Sequence, residues 1–202
     1  MPASIHNVVF DIGWVLVRIN YRPLLEFLDR HHGVPAAERD AVMNAVGLEE
    51  HECGRMSGEG LLQRIAALAG RQATAAQARA VWLDMFELDA AMVELAHRIS
   101  AQQRVYLLSN IGDLHWMHLA REHRLHAIGH GALPSYLAGV MKPHADIYSA
   151  AERRFALVPE ATVFIDDRSD NIAAARARGW HGIVHESHAA TLGQLRGLKV
   201  AC

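Results

Sequence analysis

The feature that most constrains this chain is a change in its hydrophobic period. A short apolar run, Val8, Val9 and Phe10, ends at Asp11. From Pro23 to about Phe86 apolar residues recur at helical spacing with no strand signal. Only from Val105 onward do strands return, now alternating with helices. Continuous apolar strands separated by amphipathic helices specify a parallel sheet covered on both faces, because parallel strands need helical crossovers. The helical block after the first strand must then be an insert. The expectation is an α/β fold: a doubly wound, Rossmann-like parallel-sheet core, residues 1–17 and 91–202, with a small inserted α-helical cap, residues 18–90.

Local signals fill in this outline. Leu24, Phe27 and Leu28 form one stripe, with Pro23 at a first helical position and Gly33 as a stop. Pro35 opens a second helix that ends near Gly47. Ser57 is placed to cap a third, which carries Leu61, Leu62, Ile65 and Leu68 and halts at Gly70. Thr74 and Gln77 make a capping box before Val81, Trp82 and Met85, which share a face. A fifth helix spans about 90–100. Then come a strand at 105–108, a helix that Asp113 is placed to cap, and a weaker strand between 128 and 136. A helix through Ile147 and Phe155, a strand at 162–165, a helix at 170–178 stopped by Gly179, and a last strand at 182–185 complete the chain.

Composition narrows the function. With 20 Lys+Arg against 22 Asp+Glu the net charge is 20 − 22 = −2, which is no basic field for a phosphate backbone, so no nucleic-acid partner is expected. No run of ~20 apolar residues exists. The apolar stretch from Val8 to Val17 lacks a basic leader and is interrupted by Asp11, so neither a membrane span nor a signal peptide is expected. Cys53 and Cys202 give neither a disulfide framework nor a zinc pattern. The expectation is a cytoplasmic protein, a monomer or weak homodimer. Histidines number 14, and the pairs His115/His118 and His123/His126 could each share a helix face. No cysteine or carboxylate completes a tetrahedral set, so they are taken as packing or solvated residues.

Three polar groups stand just past the ends of expected parallel strands: Asp11, Ser109-Asn110 and Asp166-Asp167. That edge is where doubly wound sheets bind ligands. Lys142, after the weak strand, can join them. Carboxylates brought to ~4 Å repel by about 4 kcal/mol per pair at an effective dielectric of about 20. A hard, oxygen-seeking cation such as Mg²⁺ resolves that conflict. Lys142 and Lys199 are the only lysines, and a chain that otherwise uses Arg keeps Lys where a compact point charge is required.

The segments Phe10-Asp11-Ile12-Gly13, Leu108-Ser109-Asn110, Met141-Lys142-Pro143 and Phe164-Ile165-Asp166-Asp167, with Asp170-Asn171 behind, resemble the four ordered motifs of haloacid dehalogenase-like (HAD) hydrolases. The resemblance runs from Val8 to about Val184 and is strongest to the branch of bacterial sugar-phosphate phosphatases, the α-D-glucose-1-phosphatase-like members among them. It implies a Mg²⁺-dependent phosphatase acting on a small phosphorylated metabolite, a sugar phosphate. Asp11 would attack phosphorus to form an aspartyl-phosphate. Asp11, the Gly13 backbone carbonyl, Asp166 and Asp167 would hold Mg²⁺. Ser109 and the Asn110 amide would donate to the phosphate oxygens, and Lys142 would neutralise charge and orient Asp11.

The resemblance also exposes a departure. The position two residues after the nucleophile, where such phosphatases usually carry an acid, is Gly13. The proton donor is therefore unassigned. Hydrolysis should depend steeply on leaving-group acidity unless another residue, such as a histidine of the cap, supplies the proton. Two alternatives stand beside the phosphatase. A metal-independent 2-haloacid dehalogenase shares the nucleophile and lysine, but such enzymes usually carry Ser and Asn where this chain has Asp166-Asp167. A catalytically weak phosphate-binding or interaction module is the other. Selectivity candidates are Trp14, Arg18 and Tyr21 in the loop after Asp11. His51 and Glu52, in a polar segment between helices, are weaker candidates that read as solvent-exposed.

Overall fold

The computed structural model describes residues 4–32 and 39–202. Along the chain, β1 (Asn7–Phe10) and β2 (Val17–Ile19) precede α1 (Arg22–His32), α2 (Arg39–Val46), α3 (Leu48–Glu52), α4 (Gly58–Ala69) and α5 (Ala75–Leu83). Then β3 (Phe86–Leu88) and α6 (Ala90–Ser100) lead to β4 (Arg104–Ser109) and α7 (Asp113–Glu122). Next come β5 (Gly131–Pro134), α8 (Ser135–Ala138), α9 (Ala145–Phe155) and β6 (Thr162–Asp166). The chain ends with α10 (Ser169–Ala177), β7 (His181–Val184) and α11 (His188–Gly197).

Five strands form one sheet in the order β5-β4-β1-β6-β7, and every neighbouring pair is parallel. Alternate residues of its strands feed two cores. Val8 and Phe10, Val105 and Leu107, and Val163 and Ile165 pack with Leu95 and Ile99 of α6, Leu119 of α7 and Leu195 of α11. Val9, Tyr106, Leu108 and Phe164 pack on the opposite face with Ile147 and Tyr148 of α9 and Ile172 of α10. Both faces are buried, which is why these strands read as unbroken apolar runs rather than alternating ones.

The inserted helices have a core of their own. Leu24, Phe27 and Leu28 of α1 pack with Val42 and Val46 of α2, Leu61, Leu62 and Ile65 of α4, and Ala78 and Trp82 of α5. Ser57 caps α4 by accepting from the Gly60 N–H at 3.2 Å, and Thr74 and Gln77 form the capping box of α5. The fold is thus the α/β parallel-sheet core with a helical cap that the period change implied.

Three local expectations differ from the structure. First, β2 and β3 pair antiparallel, Val17 opposite Leu88 and Ile19 opposite Phe86, and tie cap to core. Three residues per strand are too few to register a period. Second, α5 ends at Leu83, so Met85 joins the cap core from the following turn. Third, Asp113 does not cap α7. Gly112 holds that position without a side-chain bond, while Asp113 Oδ2 accepts from the Gly58 N–H at 3.3 Å. Asp113 therefore serves the first turn of α4 across the cap–core junction. The expected stop at Gly33 and start at Pro35 lie outside the described residues. Among the described residues no helix is long and apolar enough to cross a membrane.

Candidate active site

The sheet edge assembles the site. Asp11 follows β1 and continues its ladder, its N–H donating to the Ile165 carbonyl at 2.9 Å. Ser109 is the last residue of β4 and Asp166 the last of β6. Because β4 and β6 flank β1 in parallel register, three neighbouring strands deliver their terminal polar side chains to one place.

Lys142 reaches that place from the loop between α8 and α9, and Asn110 clamps its backbone. The Asn110 side chain donates to the Lys142 carbonyl at 2.9 Å and accepts from the Lys142 N–H at 2.8 Å. The Lys142 ammonium then meets Asp166 Oδ2 at 2.7 Å, Asp11 Oδ1 at 2.9 Å and the Leu108 carbonyl at 3.0 Å. Three acceptors use all three of its protons. The Phe164 ring lies below, 5.2 Å from Nζ to the centroid.

The carboxylates are held just as firmly. Asp11 Oδ1 also accepts from the Ile12 N–H at 2.7 Å, and the nearby Ser109 hydroxyl favours the charged form of the same carboxylate. Asp166 is fully buried and accepts from the Asn171 side chain at 2.9 and 3.1 Å and from the Arg168 N–H at 2.8 Å.

Charge is unbalanced here. Burial pushes the Asp11 carboxyl up to about 7; Lys142 pulls it down and Asp166 pushes it further up. Asp167 is also raised, by burial and then by Asp166. Burial works against the Lys142 charge, yet Asp11 and Asp166 hold its pKa above the ordinary lysine value. Asp11, Asp166 and Asp167 each offer a carboxylate oxygen within 4.8 Å of the others. Three negative charges against one lysine leave 3 − 1 = 2 uncompensated. An all-oxygen donor set with that deficit fits a hard divalent cation.

The selectivity candidates fall in two places. Trp14, whose φ of 58° is unusual for a side-chain-bearing residue, is 46 % exposed. It lines an open groove with Arg18, Asp89, Asp167 and His185. Arg18 pairs there with Asp89 at 3.5 Å. Tyr21 instead lines a narrow cavity of about 40 Å³ between cap and core, beside Gly13, Glu52, Ser109 and Asn110.

His51 and Glu52 are not the exposed residues their polar surroundings suggested. His51 is 1 % exposed, its Nδ1 is 3.1 Å from the Met56 carbonyl, and its ring presses on Gly112, where an added Cβ would lie 2.1 Å from Nε2. Glu52 is partly buried. Its carboxyl is pushed up to about 8 by burial and then by Asp11, with Lys142 pulling it down. A signal for this was available two residues on. Gly54 has φ +71° and backs onto the Tyr136 carbonyl, 2.5 Å from where a Cβ would stand, so a glycine in a polar segment marked close backbone approach. His115 is a packing residue, as expected. It stacks on Trp82 at 4.5 Å, its Nε2 lies 2.9 Å from the Trp82 carbonyl, and burial drives it down to about 3.

Comparison with known proteins converges on one family. The family model described as haloacid dehalogenase-like hydrolase matches residues 5–179. A D-ribitol-5-phosphate phosphatase of Bacteroides thetaiotaomicron is 26% identical over 193 residues, covering 92% of this chain and 94% of that protein. A sesquiterpene phosphatase of Aspergillus oryzae is 25% identical over 205 residues, covering 100% of both. Among solved structures, a haloacid dehalogenase family enzyme of Bacteroides thetaiotaomicron in complex with magnesium and inorganic phosphate superposes with a TM-score of 0.80 at 21% identity, covering 91% of this chain and 95% of that one.

Proposed function

The chain belongs to the haloacid dehalogenase-like hydrolases, and from that premise we propose that it is a Mg²⁺-dependent phosphatase of a small phosphorylated metabolite, a sugar or sugar-alcohol phosphate. The observation that carries this reading is the cluster of Asp11, Asp166 and Asp167 around one saturated lysine. A phosphatase of D-ribitol 5-phosphate among its relatives supports the substrate class.

The residues divide the work. Asp11 is the nucleophile: Lys142 and the Ile12 N–H hold Oδ1, fixing the carboxylate for attack on phosphorus with formation of an aspartyl-phosphate. The Asn110 side chain is committed to the Lys142 backbone. Phosphoryl oxygens are therefore left to the Ser109 hydroxyl and the Asn110 backbone N–H. Asp11, the Gly13 carbonyl, Asp166 and Asp167 would hold Mg²⁺, which when bound supplies the charge neutralisation that lets an anionic nucleophile approach a phosphate dianion. Residues 18–90 would act as the cap over a core of 1–17 and 91–202, and both cysteines are free, as suits a cytoplasmic enzyme. The paired Asp166-Asp167 argues against a metal-independent dehalogenase, which has no charge excess to neutralise.

One observation favours a second substrate class. The narrow cavity beside Gly13 and Ser109 carries Glu52 and Asn110 but is otherwise walled mainly by apolar residues, Val17, Ile19, Leu48, Trp82, Met85 and Phe86 among them. Such a wall favours an apolar group next to phosphorus, of which a volume of about 40 Å³ admits the first few atoms, and a sesquiterpene phosphatase is also among the relatives. A screen of sugar and sugar-alcohol phosphates beside prenyl phosphates, with a 2-haloacid as counter-substrate, tests all three. Turnover of a polyol phosphate supports the first reading, turnover confined to prenyl phosphates replaces it with the second, and halide release would overturn both.

A further inference from the structure

With Gly13 where the acid usually stands, the phosphatase reading lacks a proton donor. Glycine is not demanded there by the backbone, since Gly13 is absent from the positive-φ glycines. A Cβ would meet only the Ile19 Cδ1, at 3.2 Å. What the glycine provides is a bare stretch of cavity wall, and another residue of that wall is Glu52.

Three observations single out Glu52. Its backbone is fixed to the core: the Ser135 hydroxyl donates to the Glu52 carbonyl at 2.6 Å and accepts from the Ile111 N–H at 2.9 Å. On either side His51 packs on Gly112 and Gly54 on Tyr136, so the segment is seated on the phosphate-side loop. Glu52 lines the cavity that Gly13, Ser109 and Asn110 also line. Finally, its carboxyl makes no hydrogen bond or ion pair among the described residues, whereas Asp11, Asp166 and Lys142 are each bound several times over. A carboxyl kept for structure would have partners. The histidines of this segment offer no substitute, because His51 is packed between the Met56 carbonyl and Gly112.

We propose that Glu52, a residue of the cap, is the general acid and base of this enzyme, standing in for the side chain that Gly13 lacks. The inference rests on the phosphatase reading. In the first half-reaction an Asp11 oxygen bonds to phosphorus, the bond from phosphorus to the ester oxygen breaks, and the leaving oxygen takes the Glu52 proton. In the second, water adds to phosphorus and gives its proton to the Glu52 carboxylate as the bond to Asp11 breaks. The products are the alcohol, inorganic phosphate and the starting protonation state of both residues. A Glu52 carboxyl pushed up to about 8 carries its proton at neutral pH. The charged groups acting on it are Asp11 from the end of β1, Lys142 from the loop before α9 and Glu49 from its own helix.

The test uses the Mg²⁺-loaded protein and a series of substituted phenyl phosphates running from phenyl to p-nitrophenyl. kcat/KM reports the first half-reaction alone. The unmodified protein should show a shallow dependence on leaving-group acidity. Glu52→Gln should lose about 10²–10⁴-fold on phenyl phosphate and less than about 10-fold on p-nitrophenyl phosphate, whose oxyanion departs unaided. With the latter ester it should also release a burst of one equivalent of p-nitrophenolate before slow turnover, because the second half-reaction has lost its base. Glu52→Asp should regain part of the shallow slope, and a melting curve of each variant checks the fold. A slope in Glu52→Gln equal to that of the unmodified protein, or a uniform loss across the series, would reduce Glu52 to a structural residue and overturn the inference. Should the unmodified protein hydrolyse no ester in the series, the phosphatase reading itself falls, and this inference with it.

Discussion

The sheet edge and the cap face that looks onto it treat charge in opposite ways. At the edge the two most buried charges are tied down: Lys142 has three acceptors, and Asp166 has four donor contacts counting the lysine. On the cap face Glu52 is held by its backbone alone and its carboxyl is bound by nothing among the described residues. The difference separates two physical tasks. Groups that must hold position against repulsion and desolvation are tied down from several directions. A group that must give up a proton and take it back needs its oxygens free and its pKa near the working pH.

Removing the edge's central charge should give the largest effect. Asp11→Asn is expected to lower kcat on the order of 10⁴-fold or more, since an amide does not attack phosphorus. It should not destabilise the metal-free protein. Burial already pushes the Asp11 carboxyl up to about 7, so a neutral side chain relieves strain at the site, and Tm should hold or rise. Retained turnover would remove Asp11 from the mechanism, and a collapsed Tm would contradict the charge imbalance.

Lys142→Arg comes next, with an expected loss of about 10²–10³-fold in kcat. A planar fork cannot direct protons at once to Asp11, Asp166 and the Leu108 carbonyl from the space of a single Nζ. Rates near those of the unmodified protein would mean that the three short contacts of Lys142 do not matter to the chemistry.

A smaller effect concerns the joint between the two regions. His115, on α7 of the core, hydrogen-bonds the Trp82 carbonyl of α5 and is kept neutral by burial, its pKa lowered from 6.5 to about 3. The unfolded chain therefore binds a proton that the folded one refuses between those values. This stability is present above pH 6.5 and is lost as the pH falls toward 3, with a slope approaching about 1.4 kcal/mol per pH unit. His115→Phe should be less stable at pH 7 by about 1–3 kcal/mol, for the unpaired carbonyl, yet lose less stability on acidification. Denaturant titrations at pH 7 and 5 measure both, and equal pH slopes in the two proteins would contradict a neutral buried His115.

The same contrast explains what could be read in the chain and what could not. Asp11, Ser109 and Asp166 were legible because each ends an apolar run, and parallel strands carry their termini to one edge whatever the packing. Lys142 stood out by its rarity among basic residues. Glu52 stood out only as a weaker selectivity candidate read as exposed, because its neighbours His51, Glu49 and Glu50 give the segment a solvated look. What buries it is tertiary: the Ser135 hydroxyl and the bare backbones of Gly54 and Gly112. Asp113 was misassigned for a related reason, its carboxylate serving a helix 55 positions earlier in the chain. Trp14 and Arg18 were rightly placed near Asp11 in sequence, yet they open onto the Asp167 groove rather than the cavity that holds Glu52. The sharp turn at Trp14, with its positive φ, makes that division.

The measurement that bears most directly on the chemistry is hydrolysis of p-nitrophenyl phosphate after exhaustive chelation, followed by readdition of Mg²⁺. Three carboxylates against one lysine predict that turnover disappears with the metal and returns in full when Mg²⁺ is restored. Undiminished hydrolysis by the chelated protein would contradict a metal-dependent phosphatase, and Asp166-Asp167 would need another explanation.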